Sequence, residues 1–160
     1  MIRRLLAISC ITFAFNAAAQ SVPAENYTDM WYNAAEPGWG LSFTQHRDTN
    51  QVFAVWYTYD PRSPDPAGQF KPLWIVMPGG TWTSPTSITG PVVITNGTPY
   101  NLAGSATTVT VVGTFTISFS SSGTGTFTYN VQAPTGIAST DAAFGLTPLS
   151  GTRAIARQSF

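Results

Sequence analysis

Two carboxylates, one histidine and five tryptophans carry most of the chemistry this chain can offer. Glu36 lies within "WYNAAEPGWG", Trp31 to Gly40, where aromatic neighbours would suit it to general-acid work. Glycoside hydrolysis requires a second carboxylate about 5–9.5 Å away across the scissile bond. Asp60, at the far end of the neighbouring strand, is the partner the motifs offer. Both acids also have plainer uses. Asp60 precedes Pro61, where an aspartate commonly starts a turn. Glu36 stands beside Pro37-Gly38, where it would satisfy turn amides or pair with an arginine such as Arg153 or Arg157. His46 is the sole histidine, which excludes multi-histidine metal centres. Ser42 could complete a nucleophilic triad only on a sharp presenting turn, and it sits in a plain strand pattern. Asp60 and Asp65 would need loop carbonyls to hold calcium, and the intervening prolines break any ligand spacing. No pattern implies a metal or a cofactor.

Trp31, Trp39, Trp56, Trp74 and Trp82 exceed what a core of this size needs. Most must pack, each finding a partner for its N–H. A small barrel also holds ligands in its mouth, between aromatic walls and a few orienting polar groups. The hairpin Leu41–Tyr59 decides where Trp56 points. A five-residue tip, Arg47 to Gln51, sets His46 opposite Val52, Thr44 opposite Ala54 and Ser42 opposite Trp56. One face then carries Leu41, Phe43, Phe53, Val55 and Tyr57, and the other Ser42, Thr44, His46, Ala54, Trp56 and Thr58. Burial of one face selects register, so this pairing is expected, with Trp56 lying among hydroxyls and an imidazole.

The blocks "WYNAAEPGWGLSFTQH", "FAVWYTYD" and "KPLW" resemble a family of uncharacterised exported bacterial β-modules. Its pattern runs W-[WY]-N-x-x-E-x-G-W-G, W-[FY]-T-Y-D and P-x-W. "VGTFTISFSSSGTGTFTYNV" and the terminal "AIARQSF" are similar to that family's hairpin and closing strand. The resemblance implies a secreted β-module and no particular chemistry. Its motif positions here are Trp31, Asn33, Glu36, Gly38, Trp39, Gly40, Trp56, Tyr59, Asp60 and Trp74. Pro37 stands where the family has a small residue, and the loops Asp60–Pro72 and Ala133–Ser150 are long for it. Trp31-Tyr32-Asn33 also resembles the first strand of avidin-type barrels, which supports a small up-and-down barrel.

The elements that must position these residues are strands. Leu41–His46, Gln51–Tyr59, Leu73–Met77 and Ile88–Thr95 read as strands, the last ended by Asn96-Gly97. Val109–Phe119 and Thr126–Val131 form the clearest hairpin, with Phe115, Ile117 and Phe119 in phase on one face and Phe127, Tyr129 and Val131 answering them. Thr152–Phe160 would close the sheet, while Gln20–Thr28 is a lead-in and Ala133–Ser150 a long loop. No window has a helical period. Seven or eight short antiparallel strands predict an all-β fold, a small antiparallel β-barrel or closed β-sandwich.

Composition agrees. Charged residues are 9% of the chain against about 25% in ordinary domains, and 23 threonines supply polarity instead. β-branched residues favour strands because their χ1 is already restricted. Residues 1–19 read as a signal peptide: Arg3 and Arg4, an apolar run Leu5–Phe15, then Ala17-Ala18-Ala19 before Gln20. Cleavage there would remove Cys10, the only cysteine, and leave residues 20–160 as a single β domain without disulfides. It would also leave five basic and seven acidic residues, a formal charge of −2. No basic patch for nucleic acid or polybasic membrane tether exists.

The functional expectation is an exported, periplasmic or secreted, non-enzymatic binding or surface-interaction module. Its aromatic-rich site for a glycan or small molecule would comprise Glu36, Trp39, Ser42, Thr44, His46, Trp56, Tyr59 and Trp74. The alternatives are a small hydrolase using Glu36 and Asp60, or a small outer-membrane β-barrel.

Overall fold

The computed structural model describes residues 21–62, 64–102 and 107–159. The signal-peptide assignment and the terminal Phe160 therefore lie outside the described residues. Nine strands follow in chain order: β1 (Asp29–Tyr32), β2 (Gly40–Gln45), β3 (Val52–Tyr59), β4 (Pro72–Met77), β5 (Thr81–Ser84), β6 (Ser87–Asn96), β7 (Thr108–Phe119), β8 (Thr124–Val131) and β9 (Leu149–Arg157). Every pairing is antiparallel. The sheet order is β4-β3-β2-β1-β9-β8-β7-β6-β5, and β4 also pairs with β6. Eight strands thus close into a barrel, with β5 an additional strand on the outer flank of β6. The expected all-β fold is met, and the barrel rather than the sandwich is the form it takes.

Alternation sets inside from outside. Phe115, Ile117 and Phe119 of β7 and Phe127 and Val131 of β8 are buried in one core with Leu41, Phe43, Trp56, Ile75 and Ile155. The opposite faces carry hydroxyl pairs across neighbouring strands: Ser87 with Ser118, Thr89 with Thr116, and Thr128 with Thr152. Such pairs contribute a few tenths of a kcal/mol to about 1 kcal/mol each, and they make threonine the outer-wall residue of choice. Gly113 permits a β-bulge between β6 and β7. Its φ is +146°, and a Cβ there would collide with the Asn130 carbonyl oxygen.

The two ends of the barrel differ. One is sealed by rings. Tyr27 stacks on Phe119 with centroids 3.8 Å apart, the Trp31 indole donates to the Tyr27 carbonyl at 3.1 Å, and the Trp82 indole donates to the Asn50 carbonyl at 2.9 Å. Gln45, buried among them, accepts from the Tyr27 amide and donates to Asn50 Oδ1. The lead-in also covers the free edge of β5, because the Ser21 amide donates to the Trp82 carbonyl.

The connections β1–β2, β3–β4, β6–β7 and β8–β9 gather at the other end. The β8–β9 connection, expected as a plain loop, sends Ala143 and Leu146 into the core. It is pinned from two sides. Asp141 accepts the Thr110 hydroxyl at 2.6 Å. Arg62, in the β3–β4 connection, donates to the carbonyls of Ala142 and Phe144 at 2.8 and 2.9 Å. Residues 141–146 are therefore a cap over part of the barrel mouth.

The first hairpin departs from its expected register by one residue. Gln45 pairs with Val52, Phe43 with Ala54 and Leu41 with Trp56, so the tip spans 46–51. Because side chains alternate with period 2, that shift exchanges the faces of β3. Trp56 goes inside with Leu41 and Phe43, while Phe53, Tyr57 and Tyr59 go outside.

Candidate functional site

Beside the cap, the barrel mouth holds a cavity of about 250 Å³ lined by Glu36, Trp39, Trp56, Phe127, Tyr129 and Arg153. Each lining residue follows from local structure. Trp56 is the inward residue of β3 level with Leu41 and Ile75. Phe127 and Tyr129 are successive inward residues of β8, and Arg153 pairs with Phe127 from β9. Arg153 is inward because it is in phase with the buried Ile155. Gly151, also in phase, leaves room for Tyr129: a Cβ there would stand 2.9 Å from the phenolic oxygen.

Glu36 and Trp39 arrive from the β1–β2 connection. Asn33 organises it, its side-chain oxygen accepting the Ala35 amide at 3.0 Å and its carbonyl the Glu36 amide at 3.1 Å. The Glu36 side chain is thereby released from the turn and meets Arg153, Oε2 to Nε 3.2 Å, with both side chains about two-fifths exposed. A pair this exposed contributes little to stability, ~0–1 kcal/mol. Both ions therefore remain free to exchange one another for a ligand's polar groups.

The rings inside are mutually packed. Trp56 lies 4.7 Å from Tyr129 and 5.4 Å from Phe127 between centroids, and Trp39 is 6.0 Å from Phe127. Trp56 is only 6% exposed, yet its indole Nε1 has no acceptor among the described residues. An unmet buried donor costs about 1–3 kcal/mol. Trp31 and Trp82 both find carbonyls for theirs, so Trp56 is the exception at the mouth.

The eight expected site residues do not form one constellation. Glu36, Trp39 and Trp56 meet in the mouth cavity. Trp39 also borders an outer depression with Tyr59 and Trp74. Ser42, Thr44 and His46 are not neighbours of Trp56, since the register shift puts them on the other side of the wall. Ser42 lies on the outer face between Met30 and Val55. Thr44 and His46 border a depression with Phe53 and Pro78 at the sealed end. There the His46 Nδ1 accepts the amides of Asp48 and Thr49, both at 3.3 Å, and shapes the hairpin tip.

Glu36 and Asp60 do not line a common cavity either. Asp60 borders a separate cleft with Arg62, which binds its carboxylate through Nε at 2.7 and 2.9 Å. The hydrogen bonds from the Arg62 side chain hold the Asp60 carboxyl below its ordinary pKa, against the opposing effect of partial burial. Among the described residues no cluster of three or more metal-ligating side chains occurs.

Sequence reasoning missed Tyr129, Phe127 and Arg153 as site members. The signal was present, since Phe127 and Tyr129 continue the inward phase and Arg153 shares that of Ile155. Comparison of the chain with protein-family models, curated proteins and solved structures gave no match.

Proposed function

We propose that this chain is an exported binding module that holds one ring of a small hydroxylated ligand, a sugar above all, in the mouth of its barrel. The observation that carries the reading is the buried Trp56 N–H, without a partner among the described residues, in an aromatic cavity rimmed by the Glu36–Arg153 pair. A sugar supplies what that arrangement wants: an apolar C–H face for indole and phenyl rings, an oxygen for the N–H, and hydroxyls for a carboxylate and a guanidinium. The volume, about 250 Å³, lies just below the ~300–1,000 Å³ typical of sites for drug-sized ligands, and it suits a single ring. Export rests on the charge, apolar run and alanines of residues 1–19. The apolar interior and hydroxyl-rich outer wall of β7–β9 run opposite to the polar-in, apolar-out alternation of a membrane barrel.

Titration calorimetry of the purified protein against a panel of neutral monosaccharides tests the reading. Saturable binding by one of them is expected. Trp56→Phe, which keeps a ring and deletes the donor, should weaken it about tenfold, the worth of one hydrogen bond. Binding untouched by Trp56→Phe would place the ligand elsewhere. No binding by a cooperatively folded protein would sink the proposal.

A further inference from the structure

The mouth cavity shares one of its lining residues with a second depression. Trp39 lines it from one side and, from the other, borders a depression of about 280 Å³ on the outer wall. Tyr57, Tyr59, Pro72 and Trp74 form that wall, and the β3–β4 register sets Tyr57 against Trp74 and Tyr59 against Pro72. Trp74 is 64% exposed and Tyr59 57%. Large aromatic faces left in water side by side mark an interaction surface. The rings are also held in place. Tyr57 and Trp74 meet nearly perpendicular, 79° apart at 6.2 Å. The Tyr59 ring also sits near the turn at Gly38, whose φ of +106° suits glycine.

We infer that the site is a track for a neutral oligosaccharide, with a terminal ring in the mouth and the following rings passing over Trp39 onto Tyr59 and Trp74. This rests on the sugar-binding reading above. A further observation selects the occupant. No carboxylate, ammonium or guanidinium lines the outer depression, whose wall carries the Tyr57 and Tyr59 phenols. A charged polymer would find no counter-ion there. Ring faces and hydroxyls remain, which is what a neutral glycan chain uses.

Calorimetry with oligomers of β-1,4-linked glucose and of N-acetylglucosamine, one to six units long, tests the track. For one series, affinity should rise about tenfold or more between one unit and four. Trp74→Ala, a substitution at an exposed position, should remove most of the gain in affinity between one unit and four. Binding of the single unit with no length dependence, or with none lost in Trp74→Ala, overturns the track and spares the cavity. Failure of every length to bind overturns both. Trp74-dependent sedimentation with phospholipid vesicles, or Trp74-dependent dimerisation, in place of the length dependence would assign the platform to a membrane or a second copy and overturn the inference.

Discussion

Glu36 and Asp60 face different cavities of one barrel, and each is held by its own arginine: Glu36 by Arg153 across the mouth, Asp60 by Arg62 beside the cap. The consequences differ. Arg153 closes a solvent-exposed pair, whereas Arg62 joins Asp60 to two carbonyls about eighty residues along the chain. Arg62→Ala should therefore release the cap. We expect a loss of about 1–3 kcal/mol in denaturant unfolding, with faster amide exchange concentrated in residues 141–146. Arg153→Ala should cost under about 1 kcal/mol. Equal, small losses from both would show that Arg62 does not clamp the cap.

Acid should release the same clamp. The Arg62 side chain lowers the pKa of Asp60, and hydrogen bonding by the Thr110 hydroxyl lowers that of Asp141. A carboxyl whose pKa is lower folded than unfolded stabilises the fold above the unfolded value, about 3.9, and that contribution drains away as pH falls through the folded value. The stability held by both residues is thus intact at neutral pH and lost in the range below about pH 4. Melting temperatures measured from pH 7 to pH 2 should fall less over that acid range in Asp60→Asn than in the wild type. An unchanged acid slope in that variant would remove Asp60 from the account.

How much of this was legible depends on whether the two faces of a strand differ. In β7 and β8 they do: Phe115, Ile117 and Phe119 alternate with Thr114, Thr116 and Ser118, and the observed register follows. In β3 they do not. Phe53, Tyr57 and Tyr59 on the outside are as apolar as Val52, Ala54 and Trp56 on the inside, so the pattern could not say which face was buried. Gln45 is a buried polar residue whose inward position depends on the Tyr27 amide and Asn50 rather than on hydrophobicity. β1 and β5, four residues each, were too short to show a period. The cap was illegible for another reason: it depends on Arg62 meeting Ala142 and Phe144, a contact no local pattern encodes. The mouth was half legible, since the Glu36–Arg153 pairing was among the expectations and the rings of β8 were not.

Gly113 offers a test of the barrel's closure. Its bulge changes the phase of β7, so that Val112 and Phe115 both face inward. Any side chain at Gly113 would enter the Asn130 carbonyl on β8, at a φ that L-residues rarely adopt. Gly113→Ala should cost about 3 kcal/mol or more, or prevent folding. Gly123→Ala is the control, because nothing lies near a Cβ in the β7–β8 turn, and it should be nearly neutral. A Gly113→Ala protein as stable as the control would mean the bulge relaxes and does not fix the register.

The three buried indoles provide a comparison that separates structural tryptophans from the one at the mouth. Replacing Trp31 or Trp82 by Phe removes ring volume and also strips the Tyr27 or Asn50 carbonyl of its donor, so both penalties add. Trp56→Phe removes similar volume but also deletes a donor that has no partner among the described residues, which returns part of the cost. The Trp31 and Trp82 variants should therefore lose about 1–2 kcal/mol more stability than the Trp56 variant in the absence of ligand. Ligand reverses the ordering of effects. A saturating sugar stabilises whichever proteins bind it, by an amount that grows with concentration over Kd. It should raise the melting temperature of Trp31→Phe and Trp82→Phe as it does the wild type, and raise that of Trp56→Phe much less. Equal shifts in all three would mean that the unpartnered N–H of Trp56 is not what the ligand meets.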